Sequence, residues 1–148
     1  MTDKPSLTLK RQLKASPARI FKAWTDPAKL VHWFGPHDTA EGSVEADTDL
    51  RVGGAFRIRF KTADGQQEAT GSYQALVPDQ SLAMNWAWLA APEAPSLVTV
   101  TFHGEQGGTM LTLTQEGLAD EASRASQQAI WTGAIERLER FVTRGGKK

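Results

Sequence analysis

The chain contains no cysteine. Disulfides, thiolate metal centres and cysteine nucleophiles are thereby excluded. It also lacks an excess of either charge, since seventeen Lys and Arg balance seventeen Asp and Glu. Without a net positive field, bulk charge gives no attraction for nucleic acid or anionic lipid. No apolar run approaches the ~18 residues needed to cross a bilayer. The opening MTDKPSLTLK has no apolar segment of the secretory kind. The expectation is a soluble cytoplasmic protein that binds neither nucleic acid nor membrane. No serine sits in a G-x-S-x-G turn, and Gly53-Gly54 leads into a strand pattern rather than a phosphate-cradling helix.

What is present suits one folded domain over residues 1–148: 40% of the residues are hydrophobic and 23% are charged. Leu7, Leu9 and Leu13 recur at even spacing and predict a strand with one dry face. Ser16-Pro17 then places a capping hydroxyl before a proline suited to the first helical position. Ile20, Phe21 and Trp24 fall on one face of the helix that follows. Asp26-Pro27 repeats the signal and starts a second short helix carrying Leu30, Val31, Trp33 and Phe34, which Gly35-Pro36 stops.

From 41 to 115 the pattern is one of strands and turns. A first strand is expected over 44–52, and Phe56, Ile58 and Phe60 alternate with Arg57, Arg59 and Lys61. Asp64-Gly65 marks a hairpin, a strand over 70–77 is centred on Tyr73, and Pro78-Asp79 turns the chain. Leu82, Met84, Trp86 and Trp88 then alternate with small and polar residues. A proline- and alanine-rich loop over 89–96 precedes Val98, Val100 and Phe102, and Gly107-Gly108 turns into a last strand over 110–115. Such short connections favour antiparallel pairing. From about 119 to 143 the texture becomes helical. Ala122, Ala125, Ala129, Ile130, Ala134, Leu138, Phe141 and Val142 form the expected apolar stripe. Gly145-Gly146 ends it, and Lys147-Lys148 forms a tail.

The order strand, two helices, several strands and one long helix resembles the helix-grip fold of the START-like (SRPBCC) superfamily. The strings SPARIFKAWTDPAKLVHWFGP, DLRVGGAFRIRF, GSYQALVPDQSLAMNWAW, VTVTFHGEQGGTMLTLTQEG and IWTGAIERLERFV are similar, in that order, to segments of proteins related to activators of the heat shock protein 90 ATPase. The resemblance implies an α+β fold. A curved antiparallel sheet of about six or seven strands would wrap around the long C-terminal helix and enclose a cavity.

Candidate functional residues follow from alternation combined with that fold. Phe56, Ile58, Phe60, Tyr73, Trp86, Trp88 and Phe102 would line the cavity from the sheet. Trp33 and Phe34 would stand at its mouth, or pin the second helix to the sheet. Trp131, Ile135 and the stripe over 130–138 would form the lid. Pockets for small molecules are mostly apolar with a few placed polar groups. The expected partner is therefore a small hydrophobic or aromatic molecule, with no cofactor and no metal. The same rings would serve equally as plain core.

His32 and His37 lack the four-residue spacing that sets two ligands on one helix face, and His103 lies far along the chain. Glu45, Asp47 and Asp49 share a strand face that reads as solvated, with Asp49 close to Arg51. Two alternatives remain beside the binding module. One is an enzyme of the polyketide cyclase or hydrolase kind, using a histidine, Asp49, Arg51 or Tyr73 in the same cavity. The other is a chaperone-interaction module or homodimer built on the exposed sheet face.

Overall fold

The computed structural model describes residues 5–89, 95–105 and 107–145. The centre of the proline- and alanine-rich loop and the terminal Gly146-Lys147-Lys148 lie outside the described residues. Strand β1 (Leu7–Leu13) leads into α1 (Pro17–Thr25) and α2 (Pro27–Trp33). The Ser16 hydroxyl accepts from the Arg19 amide, and the Asp26 carboxylate accepts from the Ala28 amide. Both serve amides that a helix start leaves unpaired. The two Ser/Asp-Pro signals thus form the two helix starts.

Six strands follow: β2 (Glu45–Thr48), β3 (Ala55–Thr62), β4 (Gly65–Val77), β5 (Ser81–Trp88), β6 (Ser96–Glu105) and β7 (Gly108–Glu116). All pair antiparallel in one sheet of order β1-β7-β6-β5-β4-β3-β2. β2 is shorter than the expected 44–52, because the chain turns away at Asp49. There the Arg51 and Gly54 amides bond back to the Asp49 and Arg51 carbonyls instead of continuing the ladder.

The sheet is bent rather than flat. The register of β4 on β5 shifts between Tyr73 and Ala75, as a bulge requires. Nearby, a Cβ added to Gly71 would lie 1.8 Å from the Asn85 carbonyl oxygen. Only glycine permits that approach of neighbouring backbones.

The long helix α3 (Glu121–Arg140) starts on Asp120, whose carboxylate accepts from the Ser123 amide, and ends in a π turn, Phe141–Gly145. Its two halves differ. No residue over 121–130 is buried, whereas Trp131, Gly133, Ala134, Ile135 and Leu138 are. The expected apolar stripe is corrected here: Ala122, Ala125 and Ala129 face solvent, and Ser123, Arg124, Gln127 and Gln128 are partly covered beside Ile130. Helical spacing defines which residues share a face, and alanine is too small a side chain to decide which face is covered.

Candidate functional site

The expected sheet residues converge beneath the second half of α3. Phe56, Ile58 and Phe60 of β3, Tyr73 of β4 and Trp86 of β5 are all buried, as is Trp131 above them. The rings touch one another. Trp86 and Trp131 have centroids 5.0 Å apart, and Phe34 lies 5.7 Å from each of Phe60, Trp86 and Trp131. Phe56 joins Tyr73 at 5.6 Å and Trp86 at 5.5 Å. Trp88 sits at the rim, half-buried, 5.7 Å from Trp86 and 6.0 Å from Phe60. These tilted and edge-on arrangements are those that aromatic quadrupoles favour.

Trp33 and Phe34 are 0% and 1% exposed, so they belong to the packed interior and not to a surface mouth. The Trp33 indole donates to the Ala23 carbonyl and its ring meets Trp24 at 4.9 Å, which ties α2 to α1. Phe102 and Ile135 are buried in the same core. Phe102 meets Phe21 of α1 at 5.8 Å, edge to face. Ile135 borders a groove with Leu9, Lys10, Arg11 and Thr132 on the β1 side. Four of the concavities on the described surface are formed without Trp33, Phe34, Ile58, Phe60, Tyr73, Trp86, Trp88 and Trp131.

Polar groups inside the interior are few. The Trp131 indole donates to the Gln115 side-chain carbonyl, whose amide donates to the Ser96 hydroxyl, which donates to the Trp86 carbonyl. This buried chain pins α3 to β5, β6 and β7. Gln115 occupies an even-spaced position with Leu111 and Leu113, so a polar residue on a dry face was the signal that sequence reasoning passed over. Trp24, stacked on Trp131 at 5.9 Å, was likewise legible only as an apolar helix position.

Two buried indole nitrogens, Trp24 Nε1 and Trp86 Nε1, have no hydrogen-bond partner among the described residues. Tyr73 is the only titratable side chain among the buried described residues. Burial pushes its phenol up to about 12, against a smaller opposing effect of the Thr48 hydroxyl.

Over the rim, the Trp88 indole donates to the Gln127 side-chain carbonyl at 2.9 Å. Next to it, Arg124 bonds Gln128 and Glu121. The Trp88–Gln127 bond ties the first half of α3 to the sheet, while the Arg124 contacts run along the helix itself.

The acidic face of β2 is a solvated ladder of ion pairs. Asp47 pairs with Arg57 at 3.0 Å, Glu45 with Arg59 at 3.3 Å and Asp49 with Arg51 at 2.9 Å. Glu68 joins from β4, 3.3 Å from Arg59 Nε. His32 stacks on Phe141, His37 pairs with Glu136, and His103 lies on β6 far from both. Among the described residues no three His, Asp or Glu side chains converge as metal ligands.

A bent seven-stranded antiparallel sheet gripping one long helix over an aromatic interior defines a helix-grip domain of the START-like class. The family model described as Activator of Hsp90 ATPase homolog 1-like protein matches residues 14–143, and the chain belongs to that family. The activator of 90 kDa heat shock protein ATPase homolog 1 of Mus musculus is 32% identical over 123 residues, covering 82% of this chain and 32% of its own length. The human protein is 30% identical over the same share. The chain thus spans about a third of the length of these curated relatives. A solved structure from Chromobacterium violaceum superposes with a TM-score of 0.80 at 25% identity, covering 93% of this chain and 96% of that one. One from Rhizobium leguminosarum gives 0.75 at 30% identity, covering 95% of each chain. No described helix is long and apolar enough to cross a membrane.

Proposed function

We propose that the chain is a binding module for a small hydrophobic or aromatic molecule that carries a hydrogen-bond acceptor, taken up between the sheet and α3. The observation that carries this reading is the Trp86 indole N–H, buried among Phe34, Phe56, Trp88 and Trp131 without an acceptor among the described residues. A buried donor left unpaired costs about 1–3 kcal/mol, and a ligand carbonyl or ether oxygen would recover it. Entry is by way of the rim. The roof there has no buried residue over 121–130 and is tied to the sheet through the Trp88–Gln127 bond. Segments with few buried contacts open at low free energy.

The enzyme alternative has less support. General acid–base chemistry needs a positioned titratable pair within ~3.2 Å. Among the buried described residues Tyr73 is the only titratable side chain, and it is held neutral at ordinary pH. A chaperone partner is suggested by the names of the mouse and human relatives, and no described surface selects it.

Native mass spectrometry of the purified chain, together with a Nile red titration, tests the proposal. The expected result is a retained small mass or saturable uptake of the dye, tighter or faster in Trp88→Ala. For a ligand with an acceptor, Trp86→Phe should weaken binding by about fivefold, the scale of one neutral hydrogen bond. No retained mass, and no saturable uptake in either the native chain or Trp88→Ala, would overturn it.

A further inference from the structure

A second cavity lies outside the aromatic interior, where the segment after α2 crosses the C-terminal end of α3. It measures about 740 Å³, and its lining includes His32, His37, Glu41, Arg137, Arg140 and Phe141. Its wall is held in place by backbone. The Pro36 carbonyl accepts from the Thr39 amide, the Thr39 hydroxyl and Arg137 Nη1. Gly133 lets the loop lie on α3, since a Cβ there would come 2.8 Å from the His37 amide nitrogen.

The charge around this cavity is unbalanced. Among the described residues neither Arg137 nor Arg140 forms an ion pair. The acids on the same half of α3 already have partners: Glu139 pairs with Arg11, and Glu136 pairs with Arg11 and with His37 of the lining. Glu41 is the one carboxylate in the lining that remains, and it is exposed. Burial and the neighbouring Arg140 charge both hold the half-buried Arg137 guanidinium below its ordinary pKa. Beside the two cations lies a flat surface, with His32 stacked on Phe141 at 5.7 Å and 13° between planes. Basic residues in a last helical turn also complement its free carbonyls. That accounts for the arginines being there, and it leaves their grouping around a histidine–phenylalanine platform unexplained.

We propose that this cavity is a binding site for a small organic anion, a phosphate or carboxylate joined to a flat apolar group. The guanidinium groups of Arg137 and Arg140 would take the anion by charge-assisted hydrogen bonds, and His32 and Phe141 would take the flat part by stacking. The site is independent of the interior between the sheet and α3.

Amide NMR titrations at fixed ionic strength with phenyl phosphate, inorganic phosphate and benzyl alcohol provide the test. Phenyl phosphate should shift residues 31–44 and 137–142 saturably. Inorganic phosphate should reach the same residues more weakly, and benzyl alcohol should not shift them. Arg140→Gln, an exposed position, should keep the melting temperature and weaken phenyl phosphate by about tenfold, the scale of one charge-assisted hydrogen bond. Phe141→Leu should narrow the gap between phenyl phosphate and inorganic phosphate. Equal binding of benzyl alcohol, unchanged affinity in Arg140→Gln, or no saturable shift would overturn the proposal.

Discussion

The two halves of α3 have the same backbone and opposite environments. Residues 121–130 contribute nothing to the buried core. The next ten contribute Trp131, Gly133, Ala134, Ile135 and Leu138. The difference arises in what lies beneath. Under the second half, the rings of Phe34 and Trp86 rise to meet Trp131, and the Gln115 side chain meets its indole N–H. Under the first half, the side-chain hydrogen bond from the described part of the sheet is that of Trp88 to Gln127 at the rim, and Arg124 bonds Gln128 along the helix itself. The helix is therefore an anchored shaft with an overhanging end. This is the geometry a binding module needs if its roof is to move without unfolding its core.

The comparison can be broken most severely at Trp131. Trp131→Ala removes the ring that Trp24, Phe34 and Trp86 all touch. It should cost about 3–5 kcal/mol in urea-monitored stability. Next comes Gln115→Met, which nearly preserves shape but leaves the Trp131 indole without its acceptor and Ser96 without its donor. A loss of about 1–3 kcal/mol is expected, and amide exchange should rise over 131–140 more than over the sheet.

The third prediction concerns pH. The hydrogen bond from His37 holds the Glu136 carboxyl below its ordinary pKa, with His37 and Arg11 charges adding to it. A folded carboxyl with a lowered pKa contributes stability above its unfolded value, about 4.3, and loses it as pH falls through the folded value. Acid titration should therefore show a shallow stability decrease below pH ~4.3 that Glu136→Gln flattens, since the pair is exposed. The smallest effect belongs to the overhang. Ala125→Lys should change stability by less than about 0.5 kcal/mol, as for ordinary surface positions. A loss of several kcal/mol there would show that the first half of α3 is packed after all.

Much of this arrangement was legible in the residues. Period-two alternation identified the faces of β3, β5, β6 and β7, because a strand's side chains point to opposite sides whatever lies above them. Ser16-Pro17 and Asp26-Pro27 marked both short helices, because capping is a local interaction. Alternation also brought Phe56, Phe60, Tyr73, Trp86 and Trp88 to one cluster. It failed for β2 beyond Thr48, where a turn stabilised by its own backbone bonds replaced the ladder. Helical spacing failed for Ala122, Ala125 and Ala129, and it left open whether Trp33 and Phe34 stand at a mouth or pin the helix, where the structure has both buried. In each case the missing information was what stands opposite the residue in space.

The sequence alone determined the kinds of element, their order and the sheet faces that carry rings, because these depend on interactions within a few residues along the chain. It also determined the family. Only the tertiary structure decided that the rings of Phe34, Trp86 and Trp131 meet beneath the second half of α3. The same holds for Gln115 meeting Trp131, and for Arg137 and Arg140 sharing a cavity with His32 and Phe141. Those contacts join residues far apart in the chain, and their geometry is set by how the bent sheet and the helix meet.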